Sequence, residues 1–334
     1  MNSTGQMRIS TWMFVGLILT GFLHLTWGSV ALSPNEIWNG LVTGEGVAGS
    51  IVRDIRLPRV AIAISAGGGL ALSGLLMQTF FRNPLAGPSV LGVSSGASLG
   101  VAVAVLGGHW VGGALGLSGL SVAACGGAFA VLAFVLFVAA RHGGTIKLLV
   151  FGLMLSYAVG AMVSVLQSSA RQSALQEFVF WGMGTFGSGS LHAAGVLAFF
   201  TSLVAVMACR QTRSLDAWTL GARTAESMGV ASRPFRGFVL ASTGILTGLI
   251  TASCGPIAFL GLAAPHVVRE LFAGRGHAQL IPLTLLAGSW MALLADLAVC
   301  APWNEGSGWP LNAVLSLLGA PMVLHVLLKR TWND

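Results

Sequence analysis

The run 83–140, NPLAGPSVLGVSSGASLGVAVAVLGGHWVGGALGLSGLSVAACGGAFAVLAFVLFVAA, holds 58 consecutive residues without Asp, Glu, Lys or Arg. A helix crosses a bilayer with about 20 apolar residues, so this run holds two spans and a turn. Working outward, further charge-free runs occupy 9–35, 178–209, 237–268 and 306–328. None shows the alternating ten-residue pattern of a membrane barrel, so the spans are helices. The whole chain agrees with this run. Of 334 residues only 8% are charged and 55% are hydrophobic, with a mean hydropathy of +0.83. An average soluble domain carries about 25% charged residues, and a globule in water could not cover its surface with so few. Soluble, disordered, collagenous and disulfide-scaffold classes are excluded, leaving an all-α polytopic membrane protein.

Ten spans fit, at about 11–32, 57–80, 89–107, 114–139, 147–168, 190–209, 236–255, 257–272, 280–300 and 311–328. The first reads as an uncleaved helix beginning after Arg8. The eighth is short and contains Pro265, so a broken or tilted helix is expected there. An even count puts both ends on one side, and positive residues decide which. With the ends inside, the inner segments hold 13 of the 17 Lys and Arg; the outer ones hold Arg53, Arg56, Arg59 and Arg171. Both termini are therefore expected in the cytoplasm. The net charge of +7 is topogenic rather than a nucleic-acid face, since the positives form no dense block and only Lys147 and Lys329 are lysines.

Glycine occurs 46 times. Gly92, Gly96 and Gly100, and again Gly108, Gly112 and Gly116, repeat every fourth residue, the spacing that lets helix backbones approach closely in lipid. A faint echo links Gly87-Pro88-Ser89-Val90-Leu91-Gly92 with Gly255-Pro256-Ile257-Ala258-Phe259-Leu260-Gly261; six positions leave an inverted repeat, a transporter habit, open. The four cysteines, Cys125, Cys209, Cys254 and Cys300, are widely spaced and read as packed thiols, with no metal site implied. Asp296 is the one carboxylate well inside a span. It reads either as a structural polar anchor, which would tolerate Asn, or as a proton relay, which would not. Ser94 or Ser95 with His266 would be a weak nucleophilic pair, since nothing in the sequence orients it.

The missing motif is as informative. A P-loop needs glycine before its lysine, and here Ile146 and Leu328 precede the two lysines. An ATP-driven process would therefore need a motor on another polypeptide. The longest inner loop, 210–235, is the largest surface on which one could dock, and 219–230 reads as a short amphipathic helix ended by Gly229.

Several stretches then point one way. They are Arg56-Leu57-Pro58-Arg59, Leu72-Ser73-Gly74, Gln78, Arg82-Asn83-Pro84-Leu85-Ala86-Gly87-Pro88 and Leu91-Gly92-Val93-Ser94-Ser95-Gly96-Ala97. Later come Trp181-Gly182-Met183-Gly184, Gly255 to His266, Leu294-Ala295-Asp296-Leu297 and Leu318-Gly319-Ala320-Pro321. Together they resemble the FecCD-type permease family, membrane subunits of type II ABC importers for iron–siderophore complexes, haem and cobalamin, over about residues 50 to 330. The resemblance implies one transmembrane permease domain over 1–334 with about ten helices, in the bacterial inner membrane. It implies a homodimer embedded in lipid, two cytoplasmic ATPase subunits and a substrate-binding protein outside. It implies no cofactor, no chemistry on this chain and no nucleic-acid partner. Coupling helices are then expected at 219–236, with Arg223, Ala225, Glu226 and Gly229 facing the ATPase. Asn83, Leu85, Gly144 and Thr145 correspond to a cytoplasmic gate, and Trp181 and Met183 to the outer vestibule. Arg56 and Arg59, one helical turn apart, form a cationic anchor for the binding protein, with interfacial snorkelling as the plainer account. Cys300 stands where the family often has an arginine, so Arg171 is a possible substitute anchor. A proton-coupled carrier using Asp296 is the alternative.

Overall fold

Helix α4, Leu57–Phe81, is the axis of the molecule and is buried along almost its whole length. In the computed structural model the described residues are 3–28, 32–42, 44, 46–107, 117–141, 144–300 and 309–331. Among them every regular element is helical. In chain order, α1 is Ser3–Thr26, α2 Pro34–Val42 and α3 Gly46–Ser50; a π turn, Ile51–Arg56, leads directly into α4. A 3-10 turn, Pro88–Leu91, precedes α5 (Val93–Val105), α6 (Leu117–Arg141), α7 (Thr145–Ser168), α8 (Gln172–Gly182) and α9 (Leu191–Arg210). Then come α10 (Thr212–Thr219), α11 (Ala222–Ser227), α12 (Ser232–Cys254), α13 (Leu260–Leu271), α14 (His277–Val299) and α15 (Leu311–Thr331).

Seven of these segments are long and apolar enough to cross a membrane, the longest being Gly46–Phe81. The ten expected spans survive as positions, but not all as full crossings. Helix α5 has 13 residues and α13 has 12, reaching about 20 Å each at 1.5 Å per residue, short of a 30 Å core. The expected break near Pro265 falls before the helix rather than at the proline: 255–259 is non-helical and Phe259 sits at φ +61. Helix α1 also starts and ends several residues before the expected 11–32.

Apolar burial gives helices no reason to associate in lipid, so the packing rests on small residues. Helix α4 is flanked by α14, α9, α12 and α13. A Cβ on Gly67 would lie 2.5 Å from both the Ala292 Cβ and the Gly288 carbonyl oxygen of α14, and one on Gly74 would lie 1.5 Å from the Gly261 oxygen of α13. Backbone therefore meets backbone along α4. Helices α5 and α6 repeat the device, Gly96 and Gly100 packing on Gly127 and Ala123. Gly92 does not join that seam; its φ of +74 ends the 3-10 turn. Gly108, Gly112 and Gly116 lie outside the described residues. The two echo segments are both helix breaks, and they touch: a Cβ on Gly261 would lie 2.7 Å from Pro88 Cδ.

Helix α4 starts with Pro58 in its first turn, where a missing N–H leaves no gap. It ends in a Schellman motif: Asn83 N–H donates to the Gln78 oxygen (3.1 Å) and Arg82 N–H to the Thr79 oxygen (3.3 Å), with Arg82 at φ +49. Outside the spans, Ser33 and Glu36 form a capping box on α2. The Ser33 backbone and hydroxyl bonds hold the Glu36 carboxyl below its ordinary range.

Candidate functional site

The two ends of α4 carry two polar clusters, and both include α14. At the start of α4, Arg59 grips Asp296 with a two-pronged fork: Nε–H donates to Oδ2 and Nη2–H to Oδ1, each at 2.8 Å. His24 of α1 adds Nε2 at 3.0 Å from Oδ2. Asp296 is 1% exposed and His24 2%. A guanidinium is permanently charged, so it balances the buried carboxylate, which the membrane interior would not otherwise tolerate. One turn earlier, Arg56 is also buried and donates to the Leu25 carbonyl.

This corrects the expected surface anchor. Arg56 and Arg59 do not stand together as a cationic pair; each is committed to a partner on another helix. Arg53 is the exposed arginine of the three, donating to the carbonyls of Leu41 (2.8 Å) and Val42 (3.0 Å). The two-pronged contact with Arg59 is the geometry a structural anchor at Asp296 needs. Its neighbour Cys300 closes α14, and the His24, Asp296 and Cys300 ligand atoms lie within 4.8 Å of one another. The Arg59 fork already occupies the carboxylate, so a dication there would face a guanidinium; the chemistry of the donors is that of an ion pair.

Beside this end lies a cavity of about 1060 Å³, lined by Trp181, Phe180, Glu177, His192, Ala252 and Gly255 among others. Trp181 lines it; Met183 does not, and its carbonyl instead accepts from the Asn312 backbone N–H at 3.2 Å. Asn312 had no place in the sequence reading, yet it joins two breaks. Its Nδ2 donates to the Pro256 (2.6 Å) and Gly182 (3.2 Å) oxygens and its Oδ1 accepts from Ala258 N–H. A lone Asn in an apolar helix was the available signal.

Towards the opposite, arginine-rich end lie the residues that were expected at the gate and in the coupling segment. Asn83 Oδ1 accepts the Leu85 N–H in a tight turn (3.0 Å), leaving Leu85 exposed. Gly144, at φ +116, is the N-cap of α7, so Thr145 begins that helix. The stretch expected to couple is not one helix over 219–230. It breaks at Gly221, which has φ +116, into α10 and α11, while 232–236 already belong to α12. Arg223, Glu226 and Gly229 are exposed; Gly229 has φ +89 and open space around it. Ala225 is fully buried, which corrects its expected place on a docking face: it lies on the inner side of α11. Leu220 and Met228 are exposed there instead.

The FecCD transport family matches residues 16–329. The chain belongs to that family. Its relatives include the hemin transport system permease protein HmuU of Yersinia pestis, 32% identical over 333 residues, 99% of this chain and 98% of that one. Another is the vitamin B12 import system permease protein BtuC of Escherichia coli O157:H7, 34% identical over 313 residues, 94% and 92% of the two chains. A solved structure described as an inward-facing conformation of a metal-chelate type ABC transporter superposes with a TM-score of 0.84. It is 29% identical and covers 96% of this chain and 99% of its own. PsaBC from Streptococcus pneumoniae shares the fold alone, at a TM-score of 0.55 and 14% identity. This FecCD chain is thus a membrane transport permease, and a proton-coupled Asp296 mechanism finds no support.

Proposed function

We propose that the chain is the permease subunit of an ATP-driven importer, passing a metal chelate or corrinoid delivered by a binding protein. Two copies would form the pathway, with ATPase subunits docked at the arginine-rich end in the cytoplasm. The carrying observation is family membership over residues 16–329, and the cavity of about 1060 Å³ fits it, sitting at the top of the usual range for small-molecule sites, roughly 300–1000 Å³. The exposed Arg223, Glu226, Leu220 and Met228 support docking of the ATPase on 219–230. Asn83, Leu85, Gly144 and Thr145 would form the inner gate, and Trp181 the outer vestibule. With Arg56 and Arg59 engaged internally, the binding protein would meet the outer face around them through Arg53 and Arg171, both exposed.

The test is uptake of haem and of cyanocobalamin into liposomes holding the permease, its ATPase chains and the binding protein. ATP-dependent uptake of either is expected. Uptake driven by a proton gradient without ATP would overturn the reading.

A further inference from the structure

Asp216 of α10 lies in the 210–235 loop and is the outermost member of a network that reaches the axis helix. Its Oδ1 accepts the His277 backbone N–H at 3.0 Å, capping α14, whose own N-cap, Gly276, has no side chain to do so. The same oxygen lies 2.6 Å from His277 Nδ1. A carboxylate only accepts, so Nδ1 carries a proton, and Nε2 is hydrogen-bonded with Thr79 Oγ1, 2.8 Å away at the end of α4. Arg269 of α13 donates to that same Thr79 oxygen at 2.8 Å. Four helices, α4, α10, α13 and α14, meet in this chain of bonds. His277 and Thr79 are 1% and 2% exposed, while the Asp216 side chain is 47% exposed.

A second contact holds α10 to the same turn of α4. The Trp218 indole N–H donates to the Phe80 oxygen (3.1 Å), and the ring stacks on Phe80 and tilts against Phe235. Thr79 and Phe80 stand two to three residues before Arg82, which reaches the coupling loop beside Gly221, and just ahead of Asn83 and Leu85. A short helix outside the membrane is thereby bound to the last turn before the gate.

We propose that Asp216 is a positioning residue that transmits displacement of α10 to the end of α4, through His277 and Thr79. This rests on the importer reading, in which the ATPase moves the coupling segment. The water-exposed carboxylate is the member that can shift or exchange partners, and the buried remainder carries the shift to the gate.

The experiment uses the assembled transporter in vesicles, with the four native cysteines replaced and a Leu85→Cys reporter labelled by a polar maleimide. ATP is expected to change the labelling rate by about fivefold or more. Asp216→Asn should remove that response while ATP hydrolysis and the melting temperature stay near those of the parent, and Asp216→Glu should restore it. A merely structural residue would lower hydrolysis and melting temperature together. A full ATP response in Asp216→Asn would overturn the role of Asp216. Hydrolysis in the parent that never alters labelling would overturn the importer reading itself.

Discussion

Helix α14 carries an aspartate-centred cluster at each end, and the two are built differently. At one end Asp296, His24 and the Arg59 fork close on one another with almost no exposure. At the other, Asp216 stands half in water on a separate short helix and bonds the first residue of α14. A buried pair has no alternative partners, so breaking it leaves a bare charge in a poor solvent. A carboxylate at the water boundary can let go at small cost because solvent replaces its bonds. One end is thus a fixed clamp on α1, α4 and α14, and the other a joint whose outer half can move.

The sharpest way to break this contrast is Asp296→Ala, expected to cost about 3–5 kcal/mol by stranding Arg59. Thermal unfolding of the purified protein would read it. The double change Asp296→Leu with Arg59→Met should recover most of the loss; an equal loss in both would show that charge pairing is not what holds that end. Next comes Gly74→Ala, in the last third of α4, which must push α4 from α13 and should cost about 1–3 kcal/mol. Its melting temperature should fall while Ala at the open position Gly160 leaves it unchanged. Asp216→Ala should cost only about 1 kcal/mol, the loss of a helix cap. A drop as large as that of Asp296→Ala would erase the distinction between clamp and joint. Smallest is Arg82→Gly, which removes left-handed strain but loosens the unfolded chain, for a net gain of about 0.5 kcal/mol or less. A clear destabilisation would mean that the Arg82 side chain, beside Gly221, ties the gate turn to the coupling loop.

Much of this was legible beforehand. The spans followed from charge-free length, the seam at Gly96 and Gly100 from spacing, and the family from ordered motifs. The loop 210–235 was legible as a long arginine-rich connector, but its internal break was not, because 219–230 has the periodicity of one helix and only the φ of Gly221 shows otherwise. Arg56 and Arg59 were read as neighbours since they lie one turn apart; nothing local reveals that their partners are Leu25 and Asp296, 31 and 237 residues away. Ala225 looked like its exposed neighbours because a six-residue helix gives too little pattern to tell its faces apart.

The sequence by itself determined the solvent. With 8% charge in 334 residues the chain has to lie in lipid, which admits only helices or a closed barrel, and without a barrel's alternating pattern the spans are helices, each satisfying its backbone polar groups within its own segment. That requirement is local, so it is written locally. What only the tertiary structure decided is the partner of each isolated charge. Asp296 could meet Arg59 or a proton, and Asp216 could face water or cap α14. Both outcomes depend on which helix ends the packing of α4 against α14 and α13 brings together, through residues 237 and 61 positions apart.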